Sequence, residues 1–267
     1  MKRRRVSLLF LIVALLFVAG ALGWNLFGDL PTPDALITHS ARDTTKIFDR
    51  NGRLLYEILD PRAGSRTRVR LSDLPLHLRQ AVVAVEDANF DQNPGVDALG
   101  ILRAAWQNIS AGEIVAGGST ITQQLARQVL LSPEERDTRR FTRKLREAVL
   151  ALEITHTYSK DQILEMYLNE VYFGQLAYGI EAAARTYFGK PARDLDLAES
   201  ALLAGLIQSP SAYNPLVNLD AARARQRIAL GLMVKNGLIT EAQSVIAQAE
   251  LLHFASASPT TTLRAPH

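Results

Sequence analysis

Glu86 and Asp87 stand side by side at the end of an apolar run, Leu76–Asp87, and are followed by Phe90 and Gly95. A carboxyl group at the end of an apolar helix, facing a loop, loses hydration and its pKa rises. A general base that works near neutral pH needs that environment. The alternative is a solvated helix-end acid, and this segment alone does not choose. Residues 117–124 read GGSTITQQ. Glycines ahead of a helix leave backbone N–H groups free, and the helix dipole adds positive potential there. Ser119, Thr120 and Thr122 add hydroxyl donors, and Arg127 lies two turns on. The set suits phosphate or pyrophosphate, without the spacing or the lysine of a P-loop. A plain capped helix after a loop is the alternative.

Residues 135–147 read ERDTRRFTRKLRE. At 100° per residue, Phe141, Leu145, Ala148 and Leu152 share one face. Arg139, Arg143, Arg146 and Glu147 share the opposite one. Such a stripe is either a set of helical ion pairs worth about 0.2–0.5 kcal/mol each or a pyrophosphate clamp. Guanidinium forks pair with phosphate oxygens in a bidentate way. Residues 160–169 read KDQILEMYLN. Ile163, Leu164, Tyr167 and Leu168 form a core stripe, and Glu165 and Asn169, four apart, are polar groups that orient others. His39, His77, His156, His253 and His267 are scattered, with no HExxH spacing. There is no GxSxG elbow and no legible serine triad. Cysteine is absent, which excludes disulfides, thiolate metal sites and a cysteine nucleophile.

These groups need elements to hold them. Residues 25–45, with Pro31 and Pro33, read as a linker. Lys46–Leu59 reads as a hairpin turning at Asn51–Gly52. Beyond Leu74 the pattern is helical. A helix ends at Glu86–Asp87, and Asn89–Val96 is a loop. Asp97 caps a helix to about Ile109, and Gly112–Gly118 is a second loop. Thr120 with Gln123 forms a capping box that opens a helix to Leu130. Pro133–Arg140 is polar and basic, and a helix follows to about Thr155. Ser159 with Gln162 caps a helix to Asn169, and Asp196 with Glu199 caps another to Gln208. A last helix covers about residues 221–236, and the tail from Ala255 is poor in apolar residues. The fold class is mainly α with a short β-hairpin near the N-terminus.

The 267 residues are 48% hydrophobic and 21% charged, ordinary globular usage. That excludes a wholly disordered chain, a collagen and a polytopic membrane protein. Lys2–Arg5 supply four of the 30 basic residues, leaving 26 against 27 acidic ones. The net charge of +3 therefore sits in the N-terminus and gives no argument for nucleic acid. Val6–Gly23 runs eighteen residues without a charge, at the short end for roughly 30 Å of hydrocarbon. Trp24 takes the interfacial position, and the preceding cations predict a cytoplasmic N-terminus. A cleaved signal peptide ending near Ala19-Gly20-Ala21 is the rival. The run is long for a signal core, so an uncleaved anchor is expected. Either way the body lies outside the cytoplasm.

In this order the motifs resemble the peptidoglycan glycosyltransferases of family 51, found in the N-terminal half of class A penicillin-binding proteins. The matches are Glu86-Asp87-x-x-Phe90 with Gly95, GGSTITQQ at 117–124, Arg143-Lys144-x-x-Glu147, and Lys160-x-x-Ile163-Leu164-Glu165-x-Tyr167-Leu168-Asn169. A fifth is AGLIQSP at 204–210 with Tyr213-Asn214-Pro215. The resemblance covers roughly residues 46–250. One position departs: Asn93 stands where the family usually has histidine.

The resemblance implies a lysozyme-like helical fold, with a large lobe and a smaller membrane-proximal jaw lobe. It implies polymerisation of lipid II with release of undecaprenyl pyrophosphate. Glu86 is then the general base, a role worth about 10²–10⁴-fold, and Glu147 is the second family glutamate. Arg103, Arg127, Arg139, Arg143 and Lys144 would stabilise the pyrophosphate. Asp87, Phe90, Gly118, Ser119, Thr120, Gln123, Gln124, Glu165 and Asn169 join the substrate-binding set. A divalent cation, Mg²⁺ or Mn²⁺, would be held by Glu147 against the pyrophosphate. Leu99, Ile101, Leu102 and Trp106 are candidates to face the membrane. Partners would be lipid II, the growing glycan strand, the cytoplasmic membrane, and cell-wall synthesis or division proteins. The expected organisation is a cytoplasmic tail at 1–5, an anchor at 6–24, a linker at 25–45 and the catalytic domain at 46–236. Residues 237–267 would be a linker toward an absent transpeptidase domain, as the segment RQRIALGLMVKNGLIT and the closing LRAPH also suggest by resemblance. No transpeptidase motif is present. The alternatives are a catalytically inactive lipid II-binding scaffold or a lysozyme-like hydrolase, which needs a general acid and no pyrophosphate site.

Overall fold

The computed structural model describes residues 17, 20, 23–39, 43–51, 54–58, 64–97, 100, 118–136 and 141–255. Most of the expected anchor, the helix after Asp97, the loop at 112–117, Arg103, Arg139, Leu99, Ile101, Leu102, Trp106 and the tail from 256 lie outside them. Among the described residues no helix is long and apolar enough to cross a membrane.

The expected hairpin is present. β1 (Thr45–Phe48) and β2 (Leu54–Ile58) pair antiparallel, Thr45 opposite Ile58 and Ile47 opposite Tyr56, with an irregularity after Ile47. A second small sheet pairs β3 (Ser65–Arg66) in parallel with β4 (Ala177–Tyr178). The proline-containing segment before the hairpin is not a plain linker. It holds a short helix, α1 (Ala35–His39), and its Leu36 is buried in the core.

Two groups of helices meet at the site. The first is built on α8 (Leu197–Leu206), whose residues from Ala198 onward are all buried. α2 (Leu76–Glu86) and α9 (Leu219–Lys235) pack on it and on each other, and α10 (Glu241–Ala249) packs on α8 and α9. The second is α3 (Ile121–Val129) lying against α5 (Phe141–Thr157) and α6 (Lys160–Glu170), with α4 (Pro133–Arg136) between. α7 (Ile180–Phe188) packs on α6.

Local chemistry starts most of these helices where the sequence expects. The first N–H groups of a helix have no partner inside it. Thr120, Ser159 and Asp196 each form a full capping box with Gln123, Gln162 and Glu199. Besides the short α1 and α4, two longer helices are additional to the sequence reading. α7 ends on Gly189 in the left-handed conformation. α10 opens with another capping box, Thr240 and Gln243, inside the expected C-terminal linker, and it buries Ala247.

One amphipathic reading is corrected. α5 buries Glu147, Leu150, Ala151 and Ile154, a stripe at i, i+3, i+4 and i+7. Phe141 is 77% exposed and Leu152 46%. The buried face is rotated by roughly 140° from the apolar face expected at Phe141, Leu145, Ala148 and Leu152. Core contact with α3 and α6 outweighs the mere count of apolar side chains, because Glu147 enters with its own cations.

Candidate active site

Glu86 is the last residue of α2 and points at α3. Its Oε2 accepts a hydrogen bond from Gln124 Nε2 at 2.7 Å. Tyr167 Oη donates to Gln124 Oε1 at 3.0 Å, which turns the amide so that its nitrogen faces the carboxylate. Burial pushes the Tyr167 phenol well above its usual range, so it stays a donor. Burial also pushes the Glu86 carboxyl up. Gln124 and the charges of Arg225 and Arg127 pull it back, and Asp87 adds to the rise. Glu86 is thus a half-buried carboxyl group with a raised pKa and a fixed amide donor.

Arg225 is a residue that sequence reasoning missed. It comes from α9, and its guanidinium lies 5.7 Å from the Tyr213 ring centroid. Its stem crosses Gly205 of α8, where a Cβ would stand 3.0 Å from Arg225 Cγ. The glycine of AGLIQSP therefore lets an arginine pass toward Glu86. The arginine-rich helix was the available signal, but its partner lies far back in the chain.

Asp87 turns the other way. Asn93 Nδ2 donates to Oδ1 at 2.9 Å and to Oδ2 at 3.0 Å. Ile121 N, the first N–H of α3, donates to Oδ2 at 3.1 Å. The carboxylate thus sits at a helix N-terminus, where the dipole favours it. Burial raises its pKa, with Asn93 and the Ile121 amide opposing. Asn93 Oδ1 accepts from Gly95 N at 2.9 Å, and Lys160 Nζ donates to Asn93 O at 2.7 Å. Lys160 also stands 4.5 Å over the buried Phe90 ring. Gly95 has φ of 107°, and a Cβ there would collide with Ala151 O of α5. Thr120 Oγ1 donates to Gly95 O at 2.6 Å. The amide of Asn93 therefore does a fixed structural task, joining Asp87 to Gly95.

The cationic cluster lies just before α3. Lys144 Nζ donates to Ser119 Oγ and to Glu147 Oε2, both at 2.7 Å. Arg143 Nε is 3.1 Å from Glu147 Oε1. Gly118 and Ser119 are half-buried and precede the cap Thr120. Arg127 is close enough to Glu86 to act on its pKa. Arg146 does not join the stripe: it engages Leu26, Asp29 and Glu135.

Glu165 and Asn169 are used by the backbone. Leu71 N donates to Glu165 Oε2 at 2.7 Å. Asn169 takes Val69 N on Oδ1 and gives Nδ2 to Val69 O, each at 2.9 Å. They orient the backbone at Val69 and Leu71. Gln123 is absorbed in the Thr120 capping box. For a divalent cation the fit is poor. Both oxygens of Glu147 face cations, and among the described residues no group of three His, Asp or Glu side chains could hold a metal.

The profile of the family described as Transglycosylase matches residues 51–234, more than half of the chain. The chain belongs to this transglycosylase family. It is similar to penicillin-binding protein 1A of Neisseria flavescens, 44% identical over 225 residues, covering 84% of this chain and 27% of that protein. Penicillin-binding protein 1A of Pseudomonas aeruginosa is 41% identical over 238 residues, covering 89% and 28%. The chain thus spans about a quarter of the length of these relatives. A crystal structure of penicillin-binding protein 1A from Haemophilus influenzae aligns with a TM-score of 0.47 at 24% identity, over 82% of this chain and 22% of that one.

Proposed function

We propose that the chain is a peptidoglycan glycosyltransferase that polymerises lipid II into β-1,4-linked glycan and releases undecaprenyl pyrophosphate. The observation that carries this is Glu86, raised in pKa by burial and turned by Gln124. It bonds Gln124 of α3, the helix that the Ser119–Lys144–Glu147 cluster precedes. Glu86 takes the proton from the 4-hydroxyl of the acceptor sugar. That oxygen forms a bond to C1 of the donor sugar and inverts it. The C1–O bond to pyrophosphate breaks, and the leaving oxygens keep the electron pair. Lys144, Arg143 and Arg127 meet that charge, as preorganised cations do best in a site poor in water. Arg103 and Arg139 join them by resemblance. Asp87, through Ile121 N, holds the start of α3 and hence Gly118, Ser119 and Thr120 in place. Phe90 carries Lys160 against the loop.

The same reading extends to the architecture. The fold is lysozyme-like, with a large lobe and a membrane-proximal jaw. Residues 6–24 anchor the chain in the cytoplasmic membrane with the N-terminus inside, and the catalytic domain lies outside beside the lipid substrate. Residues from 237 lead toward a transpeptidase domain in a longer protein, and cell-wall synthesis or division proteins are its partners. A divalent cation would arrive with the donor pyrophosphate rather than reside on Glu147.

The test is polymerisation of labelled lipid II by the detergent-solubilised chain beside Glu86→Gln, with and without Mg²⁺. Glycan ladders from the parent alone support the reading. Near-normal ladders from Glu86→Gln remove Glu86 as base. Absence of ladders from a parent that still binds a lipid pyrophosphate analogue turns the reading to a binding scaffold.

A further inference from the structure

Arg146 lies one residue before Glu147, in the turn of α5 that carries Arg143 and Lys144, yet its guanidinium serves the other end of the chain. NH1 donates to Leu26 O at 2.7 Å and to Asp29 Oδ1 at 2.6 Å. Nε stands 3.1 Å from Glu135 Oε1. The side chain is only 12% exposed, whereas Asp29 is 73% exposed. Residues 23–27 are helical, so Leu26 O is one of the last carbonyls of that helix, and it would otherwise face water alone. A cation is favoured at such a terminus. Two further points hold the same segment. Tyr158 Oη, just past α5, donates to Pro33 O at 3.3 Å. Leu36 is buried in the core.

We infer that Arg146 is a positioning residue: it locks the segment leaving the apolar N-terminal run onto the α5 turn that bears Arg143, Lys144 and Glu147. The inference rests on the proposed anchor at 6–24. A free ten-residue link would let its ends wander over about 17 Å. Three fixed points remove that freedom. The cationic cluster is then held at one height and tilt above the bilayer, where a lipid-linked pyrophosphate lies. Asp29 is the exposed partner, so its loss weakens the joint without opening the core.

The chain has no cysteine, so two spin labels can be placed at Asn25→Cys and Glu153→Cys, both exposed, without background. The distance distribution between them, measured in detergent, should be narrow in the parent and broad in Arg146→Gln. Asp29→Asn should broaden it less, and Arg146→Lys should restore part of the sharpness. With lipid II in vesicles, Arg146→Gln should raise the apparent KM about tenfold while kcat falls less than about twofold. Equal widths in parent and Arg146→Gln, or an unchanged KM, overturn the inference. Extraction of the parent from vesicles by alkaline carbonate overturns the anchor reading instead, and the widths in detergent still decide whether Arg146 is the lock.

Discussion

Gln124 bridges two helix groups: its Nε2 donates to Glu86 Oε2 at 2.7 Å while α3 holds its backbone. Glu86 ends a helix of the α8 group, and Gln124 belongs to the α3–α5–α6 group. The proposed base is thus aimed by the motif that starts the anion site. One turn of α3 sets both, because Thr120, Asp87 and Tyr167 fix that turn from three directions. The base and the cationic cluster need no separate alignment.

Removing the amide should move the pH profile. Gln124 favours the charged form of Glu86, so Gln124→Ala raises that pKa further. The ionised base then appears only at higher pH, and the acidic limb of kcat/KM moves upward. A hydrogen bond to a charged group is worth about 1.5–3 kcal/mol. The loss on the acid side of the limb should therefore reach about ten- to hundredfold, with recovery in alkaline buffer. A limb that stays in place would separate Gln124 from the base.

Glu86→Gln should abolish polymerisation and stabilise the fold. The folded pKa of Glu86 lies above its ordinary value of 4.5. Its contribution to stability is therefore complete below pH 4.5 and is lost as pH rises through the folded pKa. A neutral amide avoids that loss. At pH 7 the variant should melt higher, by about 2–4 °C for each kcal/mol gained. The gap should close below pH 4.5. Calorimetry across pH reads this directly, and a lower melting point at pH 7 would contradict it.

How much of this was legible depends on where each partner sits. The capping boxes at Thr120, Ser159 and Asp196 are written within four residues, and the hairpin around Asn51 is equally local. The box at Thr240 has the same spelling and was readable too. α5 was read with the wrong face in the core, because apolar side chains lie on both sides and the buried side carries a glutamate. Glu147 became a core residue only through Lys144 and Arg143 beside it. Arg225 and Arg146 were out of reach. Their partners, Glu86 and Asp29, lie more than a hundred positions back, and no local pattern announces them.

Asn93 should prove essential to the fold around Asp87 without titrating itself. Asn93→Ala leaves the buried Asp87 carboxylate short of a donor and Gly95 N without an acceptor. The cost should be about 1–3 kcal/mol in urea unfolding at pH 7. Asn93→Asp should be worse, since two carboxylates would face each other at hydrogen-bond distance. Its deficit should shrink as pH falls, because one proton shared between them removes the repulsion. Equal stability of Asn93→Ala and the parent would show that the contact does no work.

The cationic cluster predicts a linkage that can be read without substrate turnover. Glu147 is 1% exposed and neutralises Lys144 and Arg143. Removing one partner of a fully buried pair costs about 3–5 kcal/mol, and the cost here should be smaller because Arg143 is 19% and Lys144 35% exposed. Glu147→Gln keeps the shape and removes only the charge, so free Lys144 and Arg143 should destabilise the variant. Inorganic pyrophosphate supplies the missing anion. It should therefore raise the melting temperature of Glu147→Gln more than that of the parent. The effect should survive EDTA, because both oxygens of Glu147 face Lys144 and Arg143, which meet the anion directly. It should also weaken with salt, as Lys144 is partly exposed. Differential scanning fluorimetry across a pyrophosphate titration decides it. Equal shifts in the two proteins would mean that Lys144 and Arg143 serve Glu147 alone and leave the leaving group to other residues.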